Sequence, residues 1–328
     1  VSEYKYLGMT MDSDRNWVAH MKKANNKFWK VLNKCETLFK DTRIGLDCKN
    51  EQRRACLKPM DKHGLLFMDL DKTQIEATDK RQMTGIKKML KTERGVRNTL
   101  IRLMVGEIDT KTWLIKSRLG LLYKNYNMKK YLPVRQIIEA WENKTLGSED
   151  MEENTPLHRL WEKYKTEIKN IKKDTLLRGI TKAYWEGLYI KLQHKKKYEV
   201  LPECVRNYRR RVTWKGMDPL LDKLGAGEAT KLLNIINNIR PDKYKDKPCV
   251  YCGENDSERH TLFECTTSKG YEIGIMCEIT LDTSNNIETR TKCAKRVLQF
   301  VGTKKRDTEL RDESKEEQIE EGKVDGQG

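Results

Sequence analysis

No Asp-Asp pair occurs anywhere in the 328 residues. Nucleotide transfer by two metal ions relies on paired carboxylates, so no such catalytic pair is expected in this chain. No apolar run approaches the roughly 18 residues that span a bilayer, and no lipidation signal is visible. The chain is therefore expected to be soluble, with no membrane partner. His20, His63, His158 and His194 form no evident triad with a Ser or Cys, so no nucleophilic relay is expected. The 9 cysteines are odd in number and irregularly spaced, which argues against a secreted disulfide framework. An intracellular location, nuclear or cytoplasmic, is the expectation. The chain opens on Val1 in what reads as the inside of a strand, so a fragment of a longer polypeptide is expected.

Charge is what the sequence has in excess. Charged residues make up 35%, against roughly 25% in ordinary domains, so the packed part is expected to be smaller than the length suggests. The net charge is +17, and from Asp307 onward nine acids face three bases, which leaves about +23 on the first 306 residues. A body so basic attracts a polyanion through counterion release, and RNA and DNA are the expected partners. One run concentrates the charge: Lys195, Lys196, Lys197, Arg206, Arg209, Arg210, Arg211 and Lys215, interleaved with Tyr198, Tyr208 and Trp214. Cations there suit phosphates and the aromatic faces suit unpaired bases. A solvated loop or a localisation-like cluster is the plainer alternative for such a run.

The hydrophobic pattern predicts a mainly α fold. Residues 4 to 11 alternate as a strand, and from Trp17 the period changes, with Val18, Met21, Ala24, Phe28, Leu32, Cys35 and Leu38 on one face and lysines opposite. Further helices are predicted over 72–92, 95–130, two from Leu157 to Leu192, and Leu220 to Ile239 with an interruption at Gly225-Ala-Gly227. A short one is predicted from Thr291 to Val301. Expected domains are 1–145, an acidic linker at 146–156, a basic helical region at 157–240, a metal module with a terminal helix at 241–302, and a disordered acidic tail at 303–328. Phe67-Met-Asp-Leu-Asp71 places two acids on one face of a strand-like stretch, which helix capping or surface exposure explains more cheaply than catalysis.

The sharpest motif is Cys249-Val-Tyr-Cys252-Gly, seven residues after the second Cys to His260, then four to Cys265. Three thiolates and an imidazole make a closed tetrahedral set, the pattern of a structural Zn2+ site. The CxxC turn lets two sulfurs reach one ion, and Gly253 permits the tight backbone after the second ligand. Cys277 and Cys293 lie nearby as substitutes. Cys35, Cys48, Cys56 and Cys204 stand alone and read as core or bystander thiols.

Taken together, these residues resemble a family. Tyr4-Lys-Tyr-Leu-Gly8, then Met-Thr-Met-Asp and His20-Met-Lys-Lys-Ala, resemble the strand pair and helix that close the palm of non-LTR (LINE-type) retrotransposon reverse transcriptases. Gln82-Met-Thr-Gly-Ile86, Val105-Gly-Glu and the Trp113 to Tyr123 segment look like the helical region that follows. Cys249 to Cys265 is similar to the family's C-terminal CCHC motif, although Thr-Thr-Ser-Lys-Gly-Tyr follows where the family usually has a Trp nearby. The resemblance implies the end of a palm, a thumb-like helical region and a nucleic-acid-binding C-terminus of an RNA-directed DNA polymerase, which copies its RNA using a nicked chromosomal target as primer. It also implies upstream palm and fingers on the same polypeptide, with Mg2+ only in the intact enzyme. The rival readings are a stand-alone or host-adopted zinc-containing nucleic-acid-binding protein and a helical interaction scaffold.

Overall fold

Alternation over the first residues yields a hairpin. In the computed structural model, which describes residues 3–6, 9–12, 17–92, 97–143, 155–194, 203–210, 217–237, 248–254 and 260–324, β1 (Glu3–Tyr6) pairs antiparallel with β2 (Met9–Asp12), Lys5 opposite Thr10. This is the one sheet among the described residues, and the chain is otherwise mainly helical. Helix α1 (Val18–Lys40) buries His20, Ala24, Phe28, Leu32, Cys35 and Phe39. The amphipathic period predicted from Trp17 holds over Ala24 to Cys35, whereas Val18 is exposed and Phe39 rather than Leu38 is buried at the end. Helices α2 (Leu46–Lys62) and α3 (Lys72–Leu90) pack on α1 and on each other.

The start of α3 settles the two acids at 69 and 71. The Asp71 carboxylate accepts from the Gln74 N–H at 2.8 Å and the Gln74 side chain accepts from the Asp71 N–H at 3.1 Å, a reciprocal capping box. Asp69 pairs with Arg159 at 2.8 Å. Capping and surface pairing account for both.

The helix predicted over 95–130 is two helices. α4 (Asn98–Val105) stops at Gly106, whose left-handed φ of 72° glycine adopts without strain. α5 (Thr110–Tyr126) then restarts at Asp109, whose carboxylate accepts from the Thr112 N–H at 2.7 Å. α6 (Pro133–Asn143), α7 (Pro156–Asn170), α8 (Lys173–His194) and the short α9 (Glu203–Arg206) follow. α10 (Pro219–Asn237) is broken at Gly225, with φ 73°, where the Gly-Ala-Gly sequence predicted an interruption. α11 (Ser268–Leu281) and α12 (Ile287–Val324) complete the chain. No described helix is long and apolar enough to cross a membrane.

The chain forms two compact units, and their limits differ from the expected domains. The first comprises Val1–Lys91 and Glu107–Gly187, the second Thr92–Gly106 and Leu188–Gly328. The expected 146–156 boundary falls inside the first unit. Leu119 and Leu122 of α5, Ile138 of α6, and Trp161 and Ile168 of α7 share one core across it. Most of that linker, 144–154, lies outside the described residues. Residues 157–240 and 241–302 are likewise not separate bodies, because α10 packs on α12. The tail expected to be disordered from 303 continues α12 as far as Val324. Its Lys, Arg, Glu and Gln are good helix formers, so low apolar content there does not forbid helix.

Two buried ionic clusters hold the units together internally. In the first unit Glu107 accepts from Arg53 at 2.7 Å and from Lys58 at 2.8 Å. Burial alone would raise the Glu107 carboxyl, but the charges of Arg53, Lys58 and Lys62 outweigh it and hold the pKa down to about 2. In the second unit Asp218 caps α10 through the Leu220 N–H at 3.0 Å. Its own N–H donates to the Met104 carbonyl at 2.6 Å, which ties α4 to the start of α10.

Candidate metal centre

Four ligand atoms converge in the second unit. The Sγ atoms of Cys249, Cys252 and Cys265 and a ring nitrogen of His260 all lie within 4.8 Å of one another. Cys252 Sγ and His260 Nε2 are 3.0 Å apart. In a tetrahedral site with bonds of roughly 2.3 Å to sulfur and 2.0 Å to nitrogen, ligand atoms are separated by roughly 3.5–3.8 Å, so only small movements would close this set on an ion. The three cysteines are free thiols, and all four residues except the half-buried Cys252 are buried. The cluster can hold a metal ion.

Local sequence builds this geometry. The CxxC turn folds back on itself, with the Cys249 N–H donating to the Glu254 carbonyl at 2.7 Å and the Gly253 N–H to the Cys249 carbonyl at 2.9 Å. Gly253 sits at φ 81°, the left-handed conformation expected after the second ligand. His260 opens a single π-type turn, His260–Glu264. The Cys265 N–H donates to the His260 carbonyl at 2.7 Å, so the four-residue spacing brings the last two ligands together. Leu262 between them is buried. Thr267 then caps α11 by accepting from the Gly270 N–H at 3.2 Å. A Cβ on Gly270 would lie 2.5 Å from the Cys265 carbonyl oxygen, so glycine permits the first turn of α11 to approach the last ligand.

Electrostatics favour an ionised ligand. Burial would raise the Cys249 thiol, yet the N–H groups of Tyr251 and Cys252 and the Lys304 ammonium lower it to about 6. Burial and the neighbouring thiols push Cys252 up.

Residues outside the motif contribute as well, and the sequence did not reveal them. Tyr251 stacks on Phe300 of α12 with centroids 5.7 Å apart, and its hydroxyl donates to Asp307 at 2.9 Å. Lys304, 5% exposed, reaches Cys249. These three helix residues fall in or beside the stretch read as a disordered tail. Cys277 is buried on α11, where it lines a small apolar pocket with Leu262 and Val297.

The basic run is only partly described. Lys195, Lys196, Lys197, Arg211, Trp214 and Lys215 lie outside the described residues. Arg209 is exposed, its guanidinium 5.3 Å from the Tyr189 ring centroid, and Arg206 is half-buried. Tyr208 and Arg210 correct the expectation of surface contacts. Tyr208 is 1% exposed with its hydroxyl donating to Asp218 at 2.6 Å, and buried Arg210 donates to the Leu103 carbonyl at 2.9 Å. Neither presents its side chain to an external base or phosphate.

The first unit supplies a different basic surface. A groove of about 630 Å³ is lined by Lys5 of β1, by Lys23, Lys27 and Lys30 of α1, and by His20 and His63. No carboxylate appears among its described lining residues. The lysines occupy the polar face opposite the α1 core, and a rise of about 1.5 Å per residue sets 23, 27 and 30 about 6 and 4.5 Å apart along the axis. His20 joins hairpin to helix by accepting the Thr10 N–H on Nδ1 at 3.2 Å, with Nε2 3.2 Å from the His63 carbonyl. Burial, aided by His63, Lys27 and Lys23, holds His20 below its ordinary pKa against the opposing pull of that carbonyl. Comparison with protein-family models, with curated proteins and with solved structures finds no match to this chain.

Proposed function

We propose that this chain binds nucleic acid as the C-terminal part of a non-LTR retrotransposon RNA-directed DNA polymerase, and that its Cys3His cluster holds a structural zinc ion. The observation that carries the binding reading is the lysine-lined groove between the hairpin and α1, which has no carboxylate among its described lining residues. On a body of net charge +17, such a groove concentrates positive potential where a phosphate chain gains most from counterion release. The polymerase assignment rests on the Tyr4 to Gly8 and Cys249 to Cys265 motifs and their resemblance to that family.

Zinc follows from the donor set. Thiolate and imidazole suit zinc and disfavour magnesium or calcium, and four protein ligands leave no open position for substrate. When bound, the ion supplies a crosslink between the CxxC turn and the start of α11. RNA and single-stranded DNA binding by the full chain at 50 and 200 mM salt tests the reading. Affinity is expected to fall by roughly 10³ to 10⁵ if 6 to 10 phosphates are contacted. A flat salt profile, or equal binding by a chain with Lys23, Lys27 and Lys30 changed to Glu, contradicts it.

A further inference from the structure

Helix α12 presents Phe300, Lys304 and Asp307 at spacings of four and three residues, the positions that share one helix face. All three engage the CxxC turn. Phe300 stacks on Tyr251 at 5.7 Å and 28°, Asp307 accepts the Tyr251 hydroxyl at 2.9 Å, and the Lys304 ammonium lies 5.9 Å from the centroid of the same ring. Lys304 is 5% exposed, and its ammonium is among the groups that lower the Cys249 thiol.

A buried lysine calls for a compensating anion, because desolvating an ammonium is expensive. The cluster provides one. Three thiolates, a neutral imidazole and a divalent ion carry one net negative charge, and three of the four ligand residues are buried. We propose that Lys304 is the outer-sphere cation of this metal centre. It donates to the Cys249 sulfur and balances the charge of the loaded site, so that metal binding and the docking of α12 around residues 300–307 are one event. This rests on the metal reading above. Lys304 is a positioning residue, acting through Cys249, and Tyr251 is the strut by which Phe300 and Asp307 hold the turn against the helix.

The test uses Co2+ as a spectroscopic probe in the full chain, with a chelator competition to measure affinity. Outer-shell partners of metal ligands commonly contribute 10- to 100-fold to affinity, and a loss in that range is expected for Lys304→Met. Lys304→Arg is expected to restore most of it. The sulfur-to-cobalt charge-transfer band should shift in Lys304→Met and return toward wild type in Lys304→Arg, because removing an N–H···S bond changes the donor strength of that thiolate. Hydrogen exchange on the wild-type chain keeps the proposal testable if the Met variant folds poorly. Chelation should expose amides of residues 300–307 and leave α1 to α3 protected. Cobalt uptake by wild type with unchanged affinity and spectrum in Lys304→Met overturns the role of Lys304 alone, as does unaltered exchange at 300–307 on chelation. Failure of the wild-type chain to take up metal overturns both this and the metal centre.

Discussion

Arg290 and Asp218 meet as a buried two-pronged ion pair, with Nη1 to Oδ1 at 3.0 Å and Nη2 to Oδ2 at 2.7 Å. The same carboxylate accepts the Tyr208 hydroxyl, and Arg290 Nε donates to the Thr280 carbonyl at 2.9 Å. One aspartate thus joins the segment after α9 and the starts of α10 and α12. Asp218→Ala would leave a guanidinium and a phenol buried without their anion. A loss of roughly 3–5 kcal/mol is expected, read as a lower denaturation midpoint in a probe reporting on the second unit.

Glu107 gives the first unit a defined acid sensitivity. Its folded pKa of about 2 lies below the ordinary 4.5, so its stabilisation is complete above about pH 4.5 and is lost as pH falls through about 2. A shift of this size corresponds to about 3 kcal/mol. Glu107→Gln should lower stability at neutral pH and flatten the acid limb of the stability curve. Chemical denaturation at pH 7, 4 and 3 checks this, and parallel curves for the two proteins would contradict it.

Cys252→Ser should remove metal uptake. Wild type is expected to bind one zinc per chain by elemental analysis and the variant close to none, with proteolysis appearing in the 249–265 segment, since metal binding supplies much of the folding energy of small sites. Full zinc content in the variant would refute the ligand assignment.

Gly64 stands at φ 77°, and an added Cβ would lie 2.8 Å from Met68 Cε and Met9 Sδ and 2.9 Å from Met9 Cγ. Met68 is fully buried, so a packing cost adds to that of the left-handed backbone. Gly64→Ala is expected to destabilise by more than the roughly 1–2 kcal/mol of the backbone conformation alone, measurable by thermal melting. Gly179→Ala, on α8 with nothing within 4 Å, should be neutral or slightly stabilising.

Neutralising the groove should act on salt dependence before specificity. Changing Lys27 to Gln is expected to reduce the log–log salt slope of RNA or DNA binding by about one if that lysine contacts a phosphate. An unchanged slope would remove Lys27 from the contact set.

Features carried by local pattern were legible in the sequence. The α1 stripe, the break at Gly225, the Asp71 cap and the Cys3His cluster that can hold a metal ion each depend on residues close together in the chain, where period, turn chemistry and ligand spacing are visible. Lys304 was not legible, because its partner Cys249 lies far away in sequence and its surroundings read as solvated charge. Tyr208 misled for a related reason. An aromatic among arginines has the composition of a nucleic-acid platform, and only the distant Asp218 and Leu103 turn it and Arg210 inward. The compact units divide the chain elsewhere than near 146–156, because polarity and acidity mark exposure, whereas the shared core of α5, α6 and α7 depends on tertiary packing.

The assignment of Thr92–Gly106 to the second unit, ahead of the return to the first, has a consequence for synthesis. Every residue of α4 from Thr99 to Val105 is buried in the finished protein, against partners that include Arg210 and Asp218. On the ribosome this apolar helix emerges first and waits until the chain beyond Leu188 has been made. During that interval its later partners within its own unit have not yet been made. Any single cut between Gly106 and Leu188 separates α4 from the rest of its unit.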